Sequence, residues 1–339
     1  MRGYSIQVSA EAAAVHERAF VVDLHNDALT KLTHMPAYDF SRSHAPATFY
    51  NPMRLDLDIP RIRRGGIDAL GCLMFSGFRF DGQRRRFWRQ LDKARKLAAD
   101  HAADLTLARS VADIRAARAR GQIALFLGVE GSYAIDDDVD AGVEKLAAAG
   151  VRFIGPLWER DSGCGTSCRT SKDAGLTDRG HALVRACNAA GIVLDVAHSS
   201  RKTFWDMHAA STTPLFSSHS GANGVYQHAR NLDDDQIRAI AERGGVVGVI
   251  FVAAHLGSSF CSLEKVADHI EHVVRIGGED AVALGSDFDG FMPLPRGLRD
   301  AADLPRLTEI LWRRGWREPQ LVKVLGENAL RYFAVVGNQ

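Results

Sequence analysis

The stretch "IALFLGVEGSYAIDDDVDAGVEKLAAAGVRFIGPLW", residues 123–158, holds two periodicities in one unit. Residues 123–130 form a near-continuous apolar run that ends in a carboxylate, Glu130. Residues 138–149 then open on an acid able to cap a first turn and stop at Gly150, where a helix C-cap belongs. Residues 151–158 are largely apolar again. Strands buried on both faces of a parallel sheet read as unbroken apolar runs, so the stretch reads as strand, helix, strand.

Working outward, the same alternation fills the chain. Further strand-like runs occupy 20–27, 67–76, 192–198, 214–219, 246–252 and 281–287, with helical patterns at 87–101, 177–190, 233–243 and 262–276. Segments 304–314 and 318–333 read as closing helices. Eight strands alternating with helices predict a (β/α)8 TIM barrel, one domain over residues 1–339. A doubly wound open sheet is the runner-up, without support from any Gly-x-Gly-x-x-Gly turn.

The bulk properties exclude several function classes. An apolar content of 46% and a net charge of +1 describe an ordinary soluble protein with no basic field for nucleic acid or anionic membrane. No apolar run approaches the ~20 residues that span a bilayer, and the N-terminal segment lacks the apolar core of a secretory signal. Five cysteines, thinly spread, suit a reducing compartment, and the expected location is cytoplasmic.

A TIM barrel works at the C-terminal ends of its strands, which names positions before their chemistry is inspected. "VVDLHNDALT", residues 21–30, carries His25 and Asp27 at the end of the first run. "IALFLGVEG" ends in Glu130, "IVLDVAHSS" reaches His198, "PLFSSHSG" reaches His219 and "VALGSDFDG" reaches Asp287. Taken alone, Asn26 and Asp27 read as a turn. With acids or histidines at five of eight strand ends, His25 and Asp27 read instead as metal ligands, two apart on a strand and so on one face.

Three histidines with two or three carboxylates exceed the three protein ligands that one catalytic zinc takes. Imidazole with carboxylate suits zinc, and also cobalt or manganese. Five ligands fit two cations roughly 3.5 Å apart that share a carboxylate, and Glu130 is the natural bridge. Such a pair would draw the pKa of a shared water toward neutrality and supply a metal-bridging hydroxide as nucleophile. Arg230, just past the strand of His219, suits a bidentate grip on a substrate carboxylate as well as it suits a surface ion pair.

Other candidates rank lower. His16, His101, His181, His208, His228, His255, His269 and His272 fall away from strand ends and read as surface or packing residues. His34 and His44 follow the first strand, over the mouth, as weaker candidates for substrate contact. Cys164 and Cys168, in "SGCGTSC", have a zinc-like spacing but no further Cys or His nearby, and read as loop thiols. Asp289 reads as the anchor of a turn.

With these residues in place, the chain resembles the membrane (renal) dipeptidase family of metallopeptidases. The likeness rests on "DLHND", "IPRIRRGGIDAL", "GVEG", "AGLTDRG", "DVAHSS", "SSHSGA", "HARNLDDDQIRAIAERGGVVGV" and "LGSDFDG", in order along most of the chain. It implies a (β/α)8 barrel with a two-zinc centre, often dimeric, that cleaves dipeptides and tolerates a D-residue on the C-terminal side. It implies His25, Asp27, Glu130, His198 and His219 as ligands, with Glu130 bridging. Arg230 would hold the dipeptide's carboxylate, and Asp287 would move protons and meet the substrate's amine. The family usually has a histidine at the end of the fourth strand, near the reacting carbonyl, where "VRFIGPLWERD" places Trp158. Leu24 stands where a glycine is frequent, and "ERDSGCGTSCRTSKD" departs from the family pattern. The metal centre reads as intact, and substrate handling as altered by Trp158.

The leading expectation is a two-zinc hydrolase acting on a dipeptide or similar small amide, with a small molecule and a second copy of the chain as its partners. One alternative is another amidohydrolase, acting on a non-peptide amide or lactone. Against it, the first strand has His-x-Asp rather than His-x-His, and the fourth strand lacks a lysine. Another is a metal-binding accessory protein with little catalysis, favoured by Trp158 and disfavoured by Asp287.

Overall fold

In the computed structural model, which describes residues 6–35, 37–47, 51, 54–75 and 82–336, nine strands are found among the described residues. They are β1 (Val22–Asn26), β2 (Ala69–Phe75), β3 (Leu105–Ala108), β4 (Ile123–Glu130), β5 (Val151–Gly155), β6 (Val193–Leu194), β7 (Ser217–Ser220), β8 (Val247–Val249) and β9 (Val282–Leu284). Neighbours pair in parallel along the path β6-β5-β4-β2-β1-β9-β8-β7. The two ends of that path meet at a parallel bridge between Asp195 and Phe216, where Val196 N–H donates to Phe216 O at 2.9 Å. Eight strands thus curl into the ring that the alternation of runs and helices predicted.

The ninth strand was not legible. β3 pairs with the first half of β4, Ile123 to Phe126, while β5 takes over the same edge from Leu127 onward. Its four residues, two of them only half-buried, are too few to stand out as an apolar run.

Alternation along the strands fills the barrel. Val22 and Leu24, Ala69 and Leu73, Ala124 and Phe126, with Phe153, Val193, Phe216, Val246 and Ala283, form one buried cluster, closed by Leu330 and Tyr332 of the last helix. Gly128 belongs to the same inward set, and a Cβ there would sit 2.2 Å from the Phe153 ring. The missing side chain is what lets that ring fill the barrel's interior. Residues of the same parity at the upper end, Phe75 on β2 and Glu130 on β4, are register partners. They therefore point together into the mouth.

Several predicted runs overshoot their strands. The run 67–76 is β2 as far as Phe75, and Ser76 lies outside the described residues. Runs 192–198 and 281–287 reduce to two and three strand residues. The remainder turns out of the sheet, with His198 at φ 65° and Asp287 at φ 60°. The segment 318–333 is not one helix: Glu318–Val322 passes through a π-helical turn, Lys323–Glu327, into Asn328–Val336. Gly326 in that turn lies against Phe20 O, where a Cβ would come within 2.3 Å. No helix among the described residues is long and apolar enough to cross a membrane.

Candidate metal centre

Plain alternation would send His25 and His219 to the outer face, because Leu24 and Ser218 share the inward parity. The ladders slip between Asp23 and Asn26 on β1 and between Ser217 and Ser220 on β7. Slips of this kind re-aim side chains beside active sites. Both imidazoles consequently enter the mouth, with ring centroids 3.6 Å apart. Asp27 lies past the end of β1, at φ −106° and ψ 18°, and begins the helix Ala28–His34. The strand rule of two residues per face therefore does not unite it with His25; the slip and the turn do.

The structure brings six of the expected side chains together. Glu130 Oε1 lies 2.7 Å from His198 Nε2 and 3.5 Å from His219 Nε2. The two imidazole nitrogens are 3.1 Å apart. On the other side, His25 Nε2 lies 4.0 Å from Asp27 Oδ2 and 3.8 Å from Asp287 Oδ1. Two groups of potential ligand atoms result, His25 with Glu130 and His219, and His25 with Asp27 and Asp287.

Their protonation and bonding fit a cation. Burial, reinforced by the Arg230 guanidinium and, at His198 and His219, by neighbouring imidazoles, holds His25, His198 and His219 far below the ordinary histidine range, so each ring is neutral and keeps a lone pair. Burial first, then the Asp27 and Asp287 carboxylates, raises Glu130. Burial and the Asp289 charge push Asp27 up to about 7. Crowded carboxylates facing neutral imidazoles are short of positive charge. Moreover His25 Nε2, Asp27 Oδ1 and Glu130 Oε1 are buried with no hydrogen-bond partner among the described residues. Such atoms are costly unless something binds them.

Residues that strand-end reasoning passed over hold this cluster in place. Ser218 Oγ lies 3.2 Å from His25 Nδ1 and 2.8 Å from His219 Nδ1. Asp23 accepts from the Ser286 hydroxyl and backbone N–H and so ties β1 to the loop of Asp287. Asp195 accepts from Ser218 N–H at 2.8 Å. Lys31, fully buried, donates to Asp289 Oδ1 at 3.2 Å, and Asp289 in turn accepts from Asp56 N–H at 2.7 Å. Asp289 is thus a buried anchor that joins its own loop to the helix Ala28–His34 and to the segment of Asp56. A Ser preceding a strand-end histidine was a readable signal; the Lys31 contact joins positions too distant in sequence to be seen.

Arg230 is buried, donating through Nη2 to His219 O at 3.2 Å, while its Nε has no partner among the described residues. A cavity of about 230 Å³ opens beside it, lined by His198, Ser199, Cys168 and Asn231 among others. Cys168 N–H donates to His198 O at 2.8 Å, so the loop that departs from the family pattern fastens onto the cluster. Both loop cysteines are free thiols. Trp158 is half-buried and packs on the Phe75 ring, centroids 4.5 Å apart. Phe75 points into the mouth with Glu130, and the indole therefore sits on that side.

The remaining histidines divide. His16, His269 and His272 are buried and hydrogen-bonded. His34 ends a helix, exposed, and His44 bonds to Asp39 O, away from the cluster. His228 and His255 stack at 4.4 Å, and Arg230 N–H donates to His228 Nδ1. They line Arg230 rather than the surface.

Residues 9–338 match the family model described as membrane dipeptidase, peptidase family M19. An uncharacterized protein in the pqqA 5′ region of Klebsiella pneumoniae is 40% identical over 263 residues, 74% of this chain and 96% of its own. A solved dipeptidase of peptidase family M19 superimposes with a TM-score of 0.84 at 28% identity, over 93% of this chain and 99% of its own. A metallo peptidase from Rhodobacter sphaeroides, solved with a phosphinate mimic of the dipeptide L-Ala-D-Ala, gives 0.83 at 27% identity, with the same coverage of both chains.

Proposed function

The chain belongs to the membrane dipeptidase family, peptidase family M19, and from that premise we propose that it is a two-zinc hydrolase of dipeptides or similar small amides, working as one barrel domain in the cytoplasm. The observation that carries this reading is the convergence of three neutral imidazoles and three carboxylates, among which His25 Nε2, Asp27 Oδ1 and Glu130 Oε1 are buried without a hydrogen-bond partner among the described residues. His25 and Asp27 would hold one cation, His198 and His219 the other, and Glu130 both. Bound there, the cations would supply a Lewis acid for the scissile carbonyl and an acidified water as nucleophile.

The protein's own groups do the rest. Arg230 meets the substrate's terminal carboxylate through the guanidinium edge not spent on His219 O. That contact orients the peptide across the centre. Asp287 Oδ1 faces the same space and carries a proton from the attacking water to the leaving amine nitrogen. Burial, with the charge of Asp27 beside it, raises its pKa. Trp158 narrows the mouth and offers a single N–H donor. This supports a pocket that favours substrates shaped to lie against an indole.

The test is a hydrolysis panel on zinc-loaded protein, comparing L-Ala-D-Ala and L-Ala-L-Ala with their C-terminal amides. Cleavage of the free acids over the amides supports the reading. A fully metallated protein that cleaves no member of a broad dipeptide panel overturns it in favour of an accessory role.

A further inference from the structure

We infer that Ser218 is a positioning residue that serves both cation sites at once, through a single hydroxyl shared by His25 and His219. The inference rests on the two-cation reading and goes beyond it, since Ser218 touches no candidate cation position itself.

An imidazole that binds a cation through Nε2 must carry its proton on Nδ1, and a partner for that proton fixes both tautomer and ring direction. Each metal-binding histidine ordinarily has its own partner. Here one oxygen lies within reach of two rings, 3.2 Å from His25 Nδ1 and 2.8 Å from His219 Nδ1. A hydroxyl oxygen has two lone pairs and accepts both N–H groups. Both Nε2 atoms are thereby left free to face the carboxylates, His25 toward Asp27 and Asp287 and His219 toward Glu130.

The arrangement is held from several sides. Ser218 is fully buried, and its backbone N–H is fixed by the Asp195 carboxylate. The two rings lie against each other, tilted by 37°. No water replaces the hydroxyl without room to enter. Removing it frees two N–H groups in a buried site and lets both rings adopt the wrong tautomer or turn. A partner serving one histidine would, on removal, weaken one cation; a shared partner weakens both.

The experiment is chelator competition on zinc-loaded protein, resolving the two zinc affinities of wild type, Ser218→Ala, Ser218→Thr and Ser217→Ala. Ser217 is equally buried on the same strand and bonds to Ser220, away from the rings. The expected result is two zinc ions in wild type and a loss of about ten- to hundredfold at both sites in Ser218→Ala. Ser218→Thr, which keeps the hydroxyl, recovers most of the affinity, and Ser217→Ala stays within about twofold of wild type. A Ser218→Ala protein that keeps both affinities, or loses only one, overturns the inference while the two-cation reading stands. A wild type that takes up a single zinc overturns the two-cation reading itself.

Discussion

Lys31→Met removes the cation that, among the described residues, contacts the buried Asp289 carboxylate, at nearly constant side-chain volume. The Lys31 ammonium is 1% exposed and lies 3.2 Å from Asp289 Oδ1 and 2.9 Å from Arg54 O. Asp289 and Asp56 each accept the other's backbone N–H, and the Lys31 charge lowers the pKa of both. Breaking a buried pair by deleting one partner costs about 3–5 kcal/mol, because the other charge stays behind. The cost depends on pH in a defined direction. Burial, then the charge of Asp289, pushes Asp56 up to about 7 from an ordinary value of 3.8, and Lys31 opposes that rise. Asp289 is likewise raised by burial and held down by Lys31. A carboxyl whose folded pKa lies above its unfolded value stabilises while protonated, and that stability is lost as pH rises through the folded pKa. Without Lys31 both carboxyls rise further. The deficit of the variant is therefore small at pH 5 and grows toward pH 8. Urea unfolding of both proteins at matched zinc, followed by circular dichroism from pH 5 to 8, reads it. A deficit that is flat with pH, or stays below about 1 kcal/mol at pH 8, refutes the reasoning.

Two substitutions address the substrate side. Arg230→Ala raises KM for free-acid dipeptides by the loss of a charge-assisted contact worth about 1.5–3 kcal/mol, and leaves zinc content and amide-capped substrates unchanged; steady-state kinetics on matched pairs checks both halves. Trp158→His exchanges the bulkier indole for an imidazole donor, and with zinc held constant it raises kcat on L-Ala-L-Ala by tenfold or more, a part of the hundred- to thousandfold that one well-placed donor typically supplies.

The sequence shows the eight-strand ring because the barrel strands are buried on both faces, which writes runs that are largely apolar. It hides β3, two of whose four residues are half-buried, and the π-helical turn at 323–327, where Gly326 lies against Phe20 O. The candidate ligands were legible because barrel geometry names the strand ends. The reason they converge was not. His25 and His219 reach the mouth through register slips, and a slip depends on the neighbouring strand rather than on the residues that slip. His198 and Asp287 sit in left-handed backbone, a strain that only the finished loops reveal. The supporting contacts split in the same way: Ser218 adjoins its histidine, whereas Lys31 and Asp289 are joined only by folding.

The central claim is that Glu130 holds two cations together, and elemental analysis of protein purified without chelator tests it most directly. The account predicts close to two zinc equivalents per chain in wild type. It predicts that Glu130→Gln, whose neutral amide bridges cations poorly, loses zinc and activity together. A wild type that stays near one equivalent when zinc is added, or a Glu130→Gln protein that keeps its full complement, contradicts it.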